Sequence, residues 1–212
     1  MSYGPADLRR DLGASNETIE RLDLHRRMVA DWSGRMNLMG PKELEPERYW
    51  RRHALDCAQL WALAPQARRW VDLGTGAGFP GLVLACILAE APGAEVHLVE
   101  ATAKKARFLE EAARALGLPA RVFNVRIEDF GTGEGRYDVV TARALAALPR
   151  ILEHAKPMLV RGAQGLFHKG ADFESELVAA KLVLDGGALR ADVLESRSDP
   201  RGRIIRVLKA AV

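Results

Sequence analysis

Residues 71–85 read VDLGTGAGFPGLVLA, four glycines and a proline set between two apolar runs. An apolar run that passes through glycines into a second apolar run describes a strand, a tight turn and a helix, the repeating unit of open α/β sheets. Gly74, Gly76 and Gly78 permit positive φ and remove the Cβ atoms that would keep a ligand off the backbone. Two patterns overlap here. Gly74, Gly76 and Gly78 form G-x-G-x-G, while Gly76, Gly78 and Gly81 form G-x-G-x-x-G, which by itself points to a dinucleotide. The following helix is expected over 80–90 with Pro80 in its first turn, its free N–H groups facing a carboxylate or phosphate.

The rest of the chain supplies the frame for that loop. Ile19, Leu22, Val29, Trp32 and Met36 recur at helical spacing behind Ser15 or Asn16 as N-cap, and "ERYWRRHALDCAQLWAL" is again helical. Residues 1–65 are therefore predicted to be a helical appendage to a single domain that spans 66–212. In the second part short β-rich runs alternate with helices: "RWVDL", "EVHLVE", "ARVFNV", "YDVVTA" and "GLFHK" read as strands, with a helix closed by Gly117 after the second. That alternation implies a mostly parallel, doubly wound sheet. The final pair, "ADVLE" and "RIIRVL", has only a turn-rich segment between its members and must be an antiparallel hairpin. A seven-stranded sheet ending in such a hairpin looks like the Rossmann-like class I fold of S-adenosylmethionine-dependent methyltransferases.

Composition narrows the setting. The chain has 212 residues and a net charge of +3, spread thinly along its length. Such a balance permits a nucleic-acid partner without demanding one. Cys57 and Cys86 lie among apolar residues with no metal-ligand spacing, as do the five histidines, so no metal is expected. With neither a signal-like segment nor a run of transmembrane length, a cytoplasmic protein is expected, with no membrane partner.

In order and at their separations, "MNLMG", "RRHALD", "DLGTGAGFPG", "VRIED", "VVTARA" and "HKG" resemble the RsmG (GidB) family, bacterial methyltransferases of a guanine N7 in 16S ribosomal RNA. The resemblance implies S-adenosylmethionine as cofactor, and 16S ribosomal RNA or a small-subunit assembly intermediate as partner; a monomer is expected. It places Gly74, Phe79, Ile127, Glu128 and Arg143 among the residues that hold the cofactor. Asp72, Gly76 and Gly78 join them from the loop itself, and Thr102 lies near the ribose. Glu100, ending the second strand, is expected to accept from both ribose hydroxyls. Asn37, Arg126, Lys169 and Arg203 match polar positions characteristic of the family and are assigned to the RNA. One departure is visible: the last strand usually opens with Arg-His but here reads "RII", so Arg201 competes with Arg203 for that position.

Guanine N7 carries an in-plane lone pair and no proton, so its attack on a sulfonium methyl needs no general base, and positioning is most of the catalysis. "TARA" after the fourth parallel strand contains neither an Asn-Pro-Pro-aromatic motif nor a nucleophilic cysteine. Arg143, there, is expected to reach guanine O6 or a flanking phosphate, and Lys169 a phosphate; both are the catalytic candidates. His53 reads as a packing or hydrogen-bonding residue that Asp56, three positions on, could orient. Three alternatives stay open: a methyltransferase of another RNA, a nicotinamide oxidoreductase, and an RNA-binding module without activity.

Overall fold

The computed structural model describes residues 3–36, 38–131, 135–184 and 188–210. Two helices come first, α1 (Pro5–Leu12) and α2 (Asn16–Ser33). Ser15 caps α2 by accepting from the Thr18 N–H at 2.9 Å. Thr18, Leu22, His25 and Val29 are its buried positions, spaced four, three and four apart, so one stripe faces inward. After a 3-10 turn at Pro41–Leu44, α3 (Pro46–Arg48) continues through a π-helical stretch, Tyr49–Leu55, into α4 (Asp56–Ala62).

From residue 69 the chain alternates as expected: β1 (Arg69–Leu73), α5 (Gly81–Leu88), β2 (Glu95–Val99), α6 (Ala103–Ala115), β3 (Ala120–Phe123), β4 (Val139–Arg143), α7 (Leu148–Leu159), β5 (Gln164–Lys169), α8 (Phe173–Leu184), β6 (Leu189–Glu195) and β7 (Arg203–Lys209). The seven strands lie in the order β3-β2-β1-β4-β5-β7-β6. All neighbours are parallel except β7, which is antiparallel to both β5 and β6. The C-terminal ends of the five parallel strands therefore share one edge with the start of β7, where Lys169 pairs in register with Arg203.

The helix α5 shows why the first 65 residues belong here. Its sequence, GLVLACIL, is apolar all round, and seven of its eight residues are buried. A helix of that kind needs cover on both faces. The sheet supplies one, and Leu8, Leu22, Val29 and Leu60 from the N-terminal helices join the same apolar cluster as Leu82, Leu84 and Leu98. On the other face α7 buries Ile151, Leu152 and Leu159 against Phe167 and Ile205. The outermost helix, α8, buries only Ala180 among its residues and leaves Leu182 91% exposed.

Candidate active site

At the C-terminal edge of the strands a hollow of about 600 Å³ opens over the glycine loop, between β1, β2 and β4. Gly74 and Gly76 line it, at φ +73° and +60°. A Cβ on Gly76 would meet nothing nearer than the Gly74 carbonyl oxygen at 3.9 Å, so the bare backbone there faces open space. Glu100 forms the next wall, and its carboxylate accepts from the Gly76 N–H at 2.9 Å and the Thr102 N–H at 2.8 Å. Ile127 and Glu128 stand opposite, in a 3-10 turn where the Glu128 carboxylate accepts from its own backbone N–H.

Several expected contacts are placed differently. Asp72 does not line the hollow: it is 1% exposed, and its carboxylate accepts from the Gly81 N–H at 2.9 Å and the Thr141 hydroxyl at 2.9 Å. The strand runs one residue past it, to Leu73. The first N–H of α5 is thus taken by an internal acid rather than left for a ligand. Burial pushes the Asp72 pKa from 3.8 up to about 6, against the pull of its hydrogen bonds. Gly78 is covered by Leu82, whose Cδ1 lies 2.6 Å from a Cβ placed there, so this glycine serves packing. Thr102 is exposed and reaches the site only through its N–H bond to Glu100. Glu128 is half exposed and its carboxylate is turned to Arg150 at 2.9 Å.

Arg143 departs most from expectation. Its guanidinium donates to the Arg52 carbonyl oxygen at 3.0 Å and to His53 Nδ1 at 3.1 Å, lies 3.4 Å from the Asp56 carboxylate, and sits over the Phe79 ring. It ties the end of β4 to the π-helical stretch instead of extending toward a base. With Nδ1 accepting from arginine, the neutral His53 ring keeps its proton on Nε2, which donates to Glu43 at 3.1 Å. Burial, then the adjacent Arg143, push the His53 pKa down to about 4. Its partners are Glu43 and Arg143 rather than the Asp56 suggested by spacing. Phe79 is 8% exposed and packs on His53 and His25, with ring centroids 4.7 and 5.2 Å away. His25 in turn bonds the Ala77 carbonyl oxygen at 3.1 Å, so α2 braces the glycine loop directly.

Lys169 and Arg203 come together in a second hollow of about 500 Å³, with Arg52, Asp56 and Arg201. Arg143 and Ala144 line both hollows and form the wall between them. Arg203 donates to the Pro200 and Gly202 carbonyl oxygens at 2.8 Å and lies over Phe173. Lys169 is only 9% exposed at its side chain and pairs with Glu176 at 2.6 Å. Arg126 lines the first hollow, away from these two. Asn37 lies outside the described residues. Among the described residues no group of three or more His, Cys, Asp or Glu is arranged to hold a metal, and no helix is long and apolar enough to cross a membrane.

Spacing gave no sign of the Asp56 hub. Burial works against its charge, but His168, Arg143 and the Ser198 and Ser196 hydroxyls outweigh it and hold the carboxyl below its usual range. Ser198 donates at 2.5 Å and Ser196 at 3.2 Å, so the hub joins α4, β4 and the β6–β7 connection. Leu38 and Met39, which cover one side of the first hollow, were also legible only as part of "MNLMG".

The family profile described as GidB, rRNA small subunit methyltransferase G, matches residues 18–191. The chain belongs to this family. A ribosomal RNA small subunit methyltransferase G of Caulobacter vibrioides is 47% identical over 196 residues, covering 92% of this chain and 87% of its own. One from a Bradyrhizobium strain is 51% identical over 164 residues, 77% of this chain and 73% of its own. Among solved structures, the O-methyltransferase TomG of Streptomyces achromogenes superposes with a TM-score of 0.61 at 16% identity, covering 91% of this chain and 90% of that one. The fold is that of class I S-adenosylmethionine-dependent methyltransferases. Membership removes the nicotinamide alternative that G-x-G-x-x-G had left open.

Proposed function

We propose that this protein transfers a methyl group from S-adenosylmethionine to N7 of a guanine in 16S ribosomal RNA, acting in the cytoplasm on the RNA or on a small-subunit assembly intermediate. The observation that carries the cofactor assignment is Gly76. Its backbone faces open space where a Cβ would intrude, beside a carboxylate already oriented by two backbone N–H groups. In this reading Gly74 and Gly76 lie along the amino-acid end of the cofactor, Glu100 accepts from the ribose hydroxyls, and the Ile127 N–H and Glu128 meet the adenine. For that last contact Glu128 exchanges part of its pairing with Arg150 for the adenine amino group. Bound there, the cofactor supplies an electrophilic methyl on sulfonium. The protein's own work is alignment, because N7 brings its electron pair and releases no proton; holding reactants in near-attack geometry is worth roughly 7 to 11 kcal/mol.

The RNA enters across the wall formed by Arg143 and Ala144. Arg52, Arg201 and Arg203 bring positive charge to the second hollow, where phosphate contacts fix register without reading sequence. Arg126, at the first hollow, approaches the same strand from the other side. Residues 1–65 act as an extension of a methyltransferase domain spanning 66–212, lending Leu38 and Met39 to the cofactor hollow and Arg52 to the RNA side. The test is transfer of a tritiated methyl group from the cofactor to small-subunit RNA, followed by mass mapping of the modified nucleotide. Label at a guanine N7 is expected; label on another RNA, or none, overturns the assignment.

A further inference from the structure

The turn between β4 and α7, residues 144–147, is the wall between the two hollows, and nothing within the turn explains why it holds its shape. Ala144 sits at φ +51°, a left-handed conformation that a residue with a Cβ keeps only where its surroundings impose it. Leu145 packs into the space above Gly74, its Cδ1 2.5 Å from where a Cβ on that glycine would be. Ala147 stands at the N-cap of α7 and makes no side-chain capping bond, so the first amides of that helix need an acceptor from elsewhere.

That acceptor comes from α8. Glu176 Oε2 accepts from the Leu148 N–H at 2.5 Å and from Lys169 Nζ at 2.6 Å. Lys169 Nζ also donates to the Ala146 carbonyl oxygen at 2.9 Å. One carboxylate and one ammonium thus grip the turn from two sides, at an N–H and at a C=O, and the carboxylate sits where a helix N-terminus favours negative charge. We propose that Glu176 is a positioning residue for methyl transfer: by capping α7 from α8 and holding Lys169 on Ala146, it fixes the turn that sets the distance between cofactor and base. Lys169 then works through the turn and is not a phosphate ligand. As a statement about catalysis this rests on the methyltransferase reading above; as a statement about the turn it does not.

Amide hydrogen exchange of the free protein separates the two. In Glu176→Ala the amides of 144–148 exchange at least tenfold faster than in wild type while those of β1 are unchanged, and Glu176→Gln, which keeps an acceptor for Leu148 but loses the charge for Lys169, falls between. Unchanged exchange at 144–148 overturns the clamp whatever the enzyme does. In methyl-transfer assays, Glu176→Gln and Lys169→Met each lower kcat about tenfold with RNA KM held within threefold, and the double variant is no worse than either alone. The salt dependence of RNA binding by Lys169→Met keeps its wild-type slope. A slope shallower by about 0.7 together with full turnover in Glu176→Gln makes Lys169 a phosphate ligand and sinks the proposal. Faster exchange in a protein whose wild type methylates no ribosomal RNA leaves the clamp standing and removes the function instead.

Discussion

Gly76 and Asp72 lie four residues apart and do opposite work. Gly76 presents backbone to the hollow, whereas Asp72 turns inward and holds the start of α5. Gly76→Val should place a branched side chain in the cofactor's space at a positive φ, and calorimetry should show S-adenosylmethionine affinity falling more than about a hundredfold, or about 2.7 kcal/mol, with the circular dichroism spectrum retained. Asp72 carries a different expectation. Because its folded pKa is raised, the folded state prefers the protonated acid, so its contribution to stability is present below about pH 4 and is lost as pH rises toward 6. Asp72→Asn keeps an acceptor for Gly81, and its amide can donate to Thr141 as that hydroxyl turns to the Val71 carbonyl oxygen. Urea unfolding should therefore show the variant gaining on wild type by roughly 2 kcal/mol between pH 4.5 and 7.5, out of about 3 kcal/mol in all from below pH 4. A difference that does not change with pH would place the Asp72 pKa in the ordinary range.

Between elements, the decisive contacts run across the sheet edge. Asp56 on α4 is shared by Arg143, His168 and two serines of the β6–β7 connection, and removing it leaves a part-buried guanidinium without its nearest counter-charge. Breaking a fully buried pair from one side costs about 3 to 5 kcal/mol, and the partial exposure of Arg143 puts this one at or below the lower end, about 2 to 3 kcal/mol. Asp56→Ala should lower unfolding stability by that amount, and Asp56→Asn by less; an effect under about 0.5 kcal/mol in both would show that the serines alone hold the connection. The elements themselves were legible. Strand and helix periods, the Gly117 stop and the closing hairpin all follow from local chemistry, and β7 is antiparallel as the short connection required. The destinations of Arg143 and Lys169 were not, because a strand-end position fixes where a side chain starts, while its partners, Arg52 and Glu176, come from segments 91 and 7 residues away. Gly76 and Glu100 were each legible at the site because loop and strand end meet by topology, while the hydrogen bond between them was not.

For the molecule as a whole, the reading proposed above assigns the cofactor to one hollow and the RNA to the other. Arg201→Ala with Arg203→Ala should leave cofactor affinity within about threefold, under roughly 0.7 kcal/mol, while RNA affinity falls and its salt slope becomes shallower by about 0.7 per lost phosphate contact. Calorimetry and a salt titration of RNA binding measure both; collapse of cofactor binding with an unchanged slope would move these arginines to the other hollow. The place of β7 has a further consequence, for the order in which the protein can be completed as it is synthesised. Strand β6 emerges first, yet its neighbour in the sheet is β7, and so is the open side of β5. Until residues 203–209 arrive, β5 ends the sheet with unpaired N–H and C=O groups, and β6 has nothing to join. Arg203, opposite Lys169, is the first residue of that missing strand. In the reading proposed above, Gly76 and Glu100 are already made while Arg203 is still to come, so the RNA side is the last part of the site that synthesis completes.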